Sequence, residues 1–92
     1  MELEKLRSQI DEIDAALIGL LQRRMDVAAG IAAYKSENGL PVLDAAREAD
    51  KLRAVRSRCR PELETYVARL YEAMFAVSRD YQQSLLAGDK KR

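Results

Sequence analysis

The first third of the chain carries apolar residues at alternating spacings of three and four, the period of one face of an α-helix. The nine residues that follow this period, called the apolar seam below, are Leu3, Leu6, Ile10, Ile13, Leu17, Leu20, Val27, Ile31 and Tyr34. We predict a first helix over residues 3–36, with this seam packed against another surface. Arg24 occupies the one position in the same period that is not apolar, and Arg7 and Lys35 lie one step round the helix from the seam.

These three cations indicate an anionic partner. A guanidinium or ammonium group on a packed face is strongly destabilising unless an anion meets it. Arg24 and Lys35 are eleven residues apart, which returns them to nearly the same face at a separation of ~16 Å. We therefore expect the first helix to hold a small anionic ligand or the carboxylates of a partner.

Turn-forming residues end the first helix and begin a second one. Asn38, Gly39 and Pro41 form the predicted stop. Asp44 can accept a hydrogen bond at the N-terminus of a second helix, which we predict over residues 45–59.

A third helix is predicted to begin at residue 61 or 62 and to end at 86, with Pro61 acceptable in its first turn. Its predicted inward stripe contains one polar residue, Ser78, and Gln82 lies one turn later on the same side. The stripe comprises Leu63, Val67, Leu70, Met74, Ser78, Tyr81 and Leu85. The fold class is thus all-α, with three helices in one domain over residues 1–88 and a frayed tail over 89–92.

The length of the first helix predicts association. A helix over residues 3–36 is roughly 50 Å long, which exceeds the diameter of any globule that this chain could form alone. We therefore expect an intertwined antiparallel homodimer. A crossing near residue 18 would place Arg7 of one subunit opposite position 29 or 30 of the other, between Arg24 and Lys35, and symmetry would create two such sites.

Composition excludes several classes of function. Sixteen basic and fifteen acidic residues leave a net charge of +1, which provides no global field for nucleic acid or an anionic membrane. The basic residues Arg53, Arg56, Arg58 and Arg60 are not interleaved with aromatic residues and are interpreted as a solvated helix face. No apolar run approaches the ~18 residues that a membrane span needs.

The cysteine and histidine counts bear on metal binding and on compartment. The absence of His and the presence of one cysteine, Cys59, disfavour a transition-metal site. Cys59 has no partner for an internal disulfide and the start of the chain lacks the pattern of a signal peptide, so a cytoplasmic location is expected.

The start of the second helix adds Asp44, Arg47 and Glu48 to the candidate residues. Each has an ordinary structural interpretation: Asp44 as an N-cap, Glu48 as a partner of the helix dipole and Arg47 as a surface charge. Taken with the three cations of the first helix and with Ser78 and Gln82, they form a set of polar residues on or beside inward-facing positions.

This set resembles the pattern of the AroQ-type chorismate mutases, the all-helical class. That pattern is an early Arg, a second Arg about seventeen residues later, a Lys eleven beyond, a Pro-containing loop, then D-x-x-R-E and finally S-x-x-x-Q. The corresponding positions are Arg7, Arg24, Lys35, the loop over residues 38–42, Asp44, Arg47, Glu48, Ser78 and Gln82. The ordered set is specific, whereas D-x-x-R-E alone is a weak signal.

The resemblance implies conversion of chorismate to prephenate by a Claisen rearrangement, without a cofactor or a metal. It also implies a role for each residue of the set. Arg7 of the neighbouring subunit and Arg24 would bind the two substrate carboxylates, supported by Arg47, and Lys35 and Gln82 would donate hydrogen bonds to the ether oxygen. Glu48 would accept one from the ring hydroxyl, and Asp44 and Ser78 would position the loop, the hydroxyl or a carboxylate.

Two alternatives remain open from the sequence. An isochorismate-pyruvate lyase uses the same scaffold, although Glu48 in the D-x-x-R-E context favours the mutase. A dimeric helical interaction module would pair its cations with acidic residues of a partner, and it gives no reason for Lys35 and Gln82 to face a common point.

Overall fold

A computed structural model describes residues 2–90, with the side chains of residues 89 and 90 left undescribed. It contains α1 (Leu3–Glu37), α2 (Ala45–Arg58), a 3-10 turn (Pro61–Leu63) and α3 (Glu64–Lys90). No strand occurs between residues 2 and 90, so the predicted all-α class with three helices is confirmed.

The predicted helix boundaries hold for α1 and α2 to within one residue, but α3 extends further than predicted. The predicted end at residue 86 is wrong, since α3 continues through Gly88 to Lys90. Lys91 and Arg92, the last part of the predicted frayed tail, lie outside the described residues.

The turn after α1 is a Schellman motif. The Leu40 amide donates to the Lys35 carbonyl at 2.8 Å, and the Gly39 amide donates to the Ser36 carbonyl at 3.4 Å. Gly39 has φ of 65°, the left-handed conformation that this motif requires and that glycine adopts without steric cost. The predicted stop at Asn38 and Gly39 therefore has a specific geometric basis.

The start of α2 is stabilised by the predicted N-cap. The Asp44 carboxylate accepts a hydrogen bond from the Arg47 amide at 3.0 Å. Because the first four amides of a helix have no partner within the helix, this bond determines where α2 begins.

Helix α3 packs against both α1 and α2 and contributes two of the five buried apolar residues. The buried apolar residues of the described chain are few and mostly small: Ala28, Ala32, Val42, Ala68 and Phe75. The ring of Tyr71 meets that of Phe75 edge-on, with centroids 6.1 Å apart.

The chain forms one thin layer. The principal dimensions of its Cα trace are 54 × 29 × 14 Å, and its radius of gyration is 16.6 Å. A compact domain of this length has a radius of gyration of about 12 Å. A single layer of helices leaves one face of its apolar residues without a partner, whereas stable domains pack at least two layers.

The face of α1 that contacts the rest of the chain is not the apolar seam. Every residue of the seam is between 40% and 63% exposed. The buried and half-buried positions lie mostly one residue further along, at Leu21, Met25, Ala28, Ala32 and Lys35, and Arg24 and Ala29 are also half-buried. The expectation that a large apolar face of this helix stays exposed in a single chain is thus confirmed.

The stripe predicted on α3 faces inward except at Leu70, which is 66% exposed. Ser78 is buried, and the other five stripe residues are half-buried. Ala68, Phe75 and Gln82, which lie beside the stripe, are buried as well. In α1 the largest apolar side chains define the sequence pattern, but helices approach each other most closely where side chains are small.

None of the helices in the described part of the chain combines the length and the apolar character needed to cross a membrane.

Replacing Gly39 by Ala should destabilise the fold by about 1 kcal/mol, because a Cβ disfavours the left-handed conformation. No heavy atom lies within 4 Å of the added Cβ, so steric overlap with a neighbour does not contribute. The measurement is urea denaturation at one fixed protein concentration. Gly88→Ala is the control, since Gly88 is helical and equally uncrowded and should not lose stability. Equal effects of the two substitutions would contradict the assignment of strain to Gly39.

Candidate active site

The ammonium group of Lys35 is held at the end of α1. Lys35 is half-buried, and its Nζ donates to the carbonyl of Val42 at 2.7 Å. Val42 is itself buried and belongs to the loop that the Schellman motif turns back toward α1. An ammonium has three N–H donors, so two remain for a ligand.

A buried polar pair lies on the inward stripe of α3. Ser78 is 9% exposed and Gln82 is 6% exposed. The Gln82 Nε2 donates to the Ser78 Oγ at 3.1 Å, and the Gln82 Oε1 is buried without a partner among the described residues. A buried polar atom without a partner destabilises a fold by about 1–3 kcal/mol.

Rotation of the Gln82 amide by 180° exchanges its two polar atoms. The Ser78 hydroxyl would then donate to Oε1, and Nε2 would be the atom without a partner. In either orientation one polar atom of Gln82 is available for a group that is not part of this chain.

An ion pair joins the start of α2 to α3. The guanidinium Nη1 of Arg79 donates to Oε2 of Glu48, and the two side chains are 33% and 26% exposed. Arg79 was not predicted as a site residue. Arg79 directly follows Ser78 of the α3 stripe, just as Arg7 and Lys35 directly follow residues of the apolar seam on α1. This position is the feature of the sequence that could have indicated Arg79.

The remaining candidates are three arginines and Asp44. Arg24 is half-buried on α1, whereas Arg7 and Arg47 are exposed. Among the side chains that the structure describes, none forms a salt bridge with any of these three arginines. Asp44 is exposed and uses its carboxylate as the N-cap of α2.

The single chain does not bring all the candidates together. It links Lys35 to the loop, Ser78 to Gln82, and Glu48 to Arg79. Arg7 lies ~42 Å from Lys35 along α1, too far for both side chains to contact one small molecule within one chain.

The chemistry of the collected groups favours an organic anion over a metal. Within residues 2–90, excluding the undescribed side chains, no group of three His, Cys, Asp or Glu residues is placed to hold a metal ion. The available groups are guanidinium, ammonium and amide donors, with Glu48 as a carboxylate acceptor. Such donors bind carboxylates and stabilise negative charge on oxygen.

Comparison with known proteins agrees with the resemblance seen in the sequence. A profile of the family described as chorismate mutase type II matches residues 6–83, more than half of the chain. A protein of Streptomyces venezuelae named 4-amino-4-deoxychorismate mutase is 35% identical over 75 residues, covering 79% of this chain and 73% of that protein.

A second relative is much longer than this chain. The T-protein of Enterobacter agglomerans is 44% identical over 55 residues, covering 60% of this chain but only 15% of that protein. No solved structure matches the chain significantly.

The family match spans α1, α2 and most of α3, and therefore includes every predicted site residue from Arg7 to Gln82. The prediction of a chorismate mutase made from the sequence is confirmed at the level of the family and of the enzyme class. The chain belongs to the chorismate mutase type II family.

Proposed function

We propose that this protein catalyses the rearrangement of chorismate to prephenate, in the biosynthesis of phenylalanine and tyrosine. The observation that carries the proposal is the buried Ser78–Gln82 pair, which leaves one polar atom of Gln82 without a partner on the inner face of a chorismate mutase chain. A hydrogen bond between a substrate atom and Gln82 would explain why a polar atom at this position is buried without a partner in the chain.

The reaction makes few chemical demands on the protein. In a Claisen rearrangement an ether C–O bond breaks while a C–C bond forms, without proton transfer, nucleophile or metal. The protein accelerates it by binding the reactive conformer and by stabilising the negative charge that develops on the ether oxygen. We assign the donation to this oxygen to Lys35 and Gln82, because both offer donors at partly or fully buried positions.

We assign the two substrate carboxylates to arginines from two subunits. Arg24 is half-buried and without an ionic partner among the described side chains. Arg7 of the second subunit supplies the other guanidinium, and Arg47 supports them. Guanidinium groups suit this role because they bind carboxylates through two parallel hydrogen bonds.

The proposed assembly is an antiparallel homodimer that buries the apolar seam. Its support is the exposure of all nine seam residues and the 14 Å thickness of the chain, which leaves α1 without a packing partner on one side. The crossing near residue 18 predicted from the sequence would bring Arg7 across to the partner's site.

The ring hydroxyl of the substrate is assigned to Glu48, which accepts its hydrogen bond. Asp44 contributes by starting α2 one turn before Glu48, and Ser78 contributes by orienting the amide of Gln82. Both are positioning roles in this proposal. No cofactor takes part.

A second substrate has support from one relative. The Streptomyces venezuelae relative is named for 4-amino-4-deoxychorismate, in which an amine replaces the hydroxyl at C4. Chorismate is the substrate proposed here because Glu48 already has a cationic partner in Arg79 and needs only a hydrogen-bond donor from the substrate.

The proposed compartment is the cytosol. Cys59 is a free thiol and the sequence contains no second cysteine, which is compatible with a reducing environment.

The direct test is to follow the loss of the ultraviolet absorbance of chorismate with purified protein, and to identify prephenate as the product. Release of pyruvate from isochorismate would instead indicate the lyase. Absence of turnover with both substrates, and with the 4-amino compound, would indicate the interaction module and overturn the proposal.

Lys35→Ala should lower kcat by about a hundredfold or more, because it removes a preorganised donor to the ether oxygen. The measurement is the initial rate at saturating chorismate. Lys5→Ala removes the same charge from an exposed position of α1 and should leave kcat near that of the wild type. A reduction within about threefold for Lys35→Ala would contradict the electrostatic role.

Gln82→Glu should make the activity depend on pH. The introduced carboxyl group can donate to the ether oxygen only while it is protonated, and its reference pKa is about 4.3 before burial raises it. Activity relative to the wild type should therefore increase as pH falls through that pKa. The measurement is kcat for both proteins across the acidic range, and a ratio that rises with pH would exclude Gln82 as the donor.

Two inactive variants should complement each other if Arg7 acts across the dimer. In a heterodimer of Arg7→Ala and Lys35→Ala chains, one site contains neither residue and the other contains both. Random association of equal amounts should restore about one quarter of the wild-type activity.

The measurement is the chorismate rate after the two variants are unfolded and refolded together. The control is refolding each variant alone, which should restore nothing. If mixing also restores nothing while heterodimers form, Arg7 and Lys35 do not serve one site from different chains.

A further inference from the structure

We infer that Arg79 is a specificity-determining residue that acts through Glu48, and that it makes the site prefer a hydroxyl group over an ammonium group at C4 of the substrate. The inference rests on the proposed function, since it concerns the substrate group assigned to Glu48. Arg79 itself is a positioning residue, because it contacts Glu48 and no substrate atom is assigned to it.

The geometry ties two helices together beside the buried polar pair. Arg79 follows Ser78 directly on α3 and precedes Gln82 by three residues, while Glu48 lies in the first turn of α2. The Nη1 of Arg79 donates to Oε2 of Glu48 across this junction. A contact between residues 31 positions apart is tertiary, so the ion pair exists only when α2 and α3 are packed.

The first consequence concerns orientation. With Oε2 engaged by Arg79, the carboxylate of Glu48 is held in one rotamer, and Oε1 remains available as an acceptor. A substrate hydroxyl then meets an acceptor that is already in place, which lowers the entropy lost on binding.

The second consequence concerns charge. The Glu48–Arg79 pair is neutral as a unit, so it suits a neutral hydroxyl donor. An amine on a saturated carbon is protonated near neutral pH, as lysine is. An ammonium at C4 would gain its attraction from the negative charge of Glu48, and Arg79 already neutralises that charge, so the pair selects against the 4-amino compound.

A purely structural interpretation of the same contact makes a different prediction. If the ion pair only holds α2 against α3, its loss should weaken both substrates equally and should lower stability. Specificity between hydroxyl and ammonium would not change. The ratio of the two kcat/KM values therefore separates the two interpretations.

The experiment compares chorismate and 4-amino-4-deoxychorismate as substrates of the wild type and of Arg79→Gln. We expect Arg79→Gln to shift the kcat/KM ratio toward the 4-amino compound by about tenfold, the size of one charge-assisted hydrogen bond. If turnover of the 4-amino compound is too slow to measure, its competitive inhibition of chorismate turnover provides the same ratio.

A double-mutant cycle tests whether Arg79 acts through Glu48. In a Glu48→Gln background, Arg79→Gln should leave the ratio unchanged, since no carboxylate remains to be freed. Arg79→Lys keeps the charge and should keep most of the wild-type preference. Arg69→Gln removes the same charge from an exposed position of α3 and should leave the ratio as in the wild type.

The outcomes separate this inference from the proposed function. A wild-type protein without chorismate turnover contradicts the proposed function. An active wild type whose ratio is the same in Arg79→Gln, or shifts equally in the Glu48→Gln background, overturns the inference alone. Circular dichroism establishes that each variant is folded, and Arg79→Met, which keeps an unbranched apolar stem but no charge, provides the same comparison if Arg79→Gln does not fold.

Discussion

The structure depends on the close packing of α3 against α1 and α2, which small side chains permit. Ala32 and Ala68 are each 1% exposed, and they are more deeply buried than any large apolar residue of the described chain. Dispersion and burial are strongest where backbones approach closely, so the alanine faces become the inner faces. The large residues of the apolar seam are consequently left exposed on the outside.

The polar groups of the candidate site are positioned by local hydrogen bonds at the ends of the closely packed helices. The Schellman motif returns the loop so that the Val42 carbonyl receives the Lys35 ammonium. The Asp44 cap sets the first residue of α2 and hence the position of Glu48. The first hydrogen bond fixes the ammonium of Lys35, and the second fixes the start of α2, where Glu48 contacts α3 through Arg79. In the proposed dimer, the partner chain packs against the exposed apolar seam of α1. The same partner chain supplies Arg7, which the site of a single chain lacks.

The candidate site could be predicted from sequence only as far as its residues interrupt a local pattern. Arg24 and Ser78 were recognisable because an apolar residue was expected at each position. Arg79 interrupts nothing, since it lies at the edge of the stripe where a charged residue is ordinary. Its pairing with Glu48 depends on how α2 and α3 are placed relative to each other, and no spacing within one helix encodes that placement.

The amino-acid pattern alone predicts the three helices, the turn residues between them and the polar residues that identify the family, because hydrogen bonding within a helix and at its ends is local. It also predicts that a large apolar face of α1 stays exposed in a single chain. Which stripe of α1 is buried depends on the tertiary structure, since the large residues of the seam follow the same period as the alanines one position away. The choice between two adjacent stripes is made by how closely two helices can approach, which is a property of the packed pair and not of either helix alone.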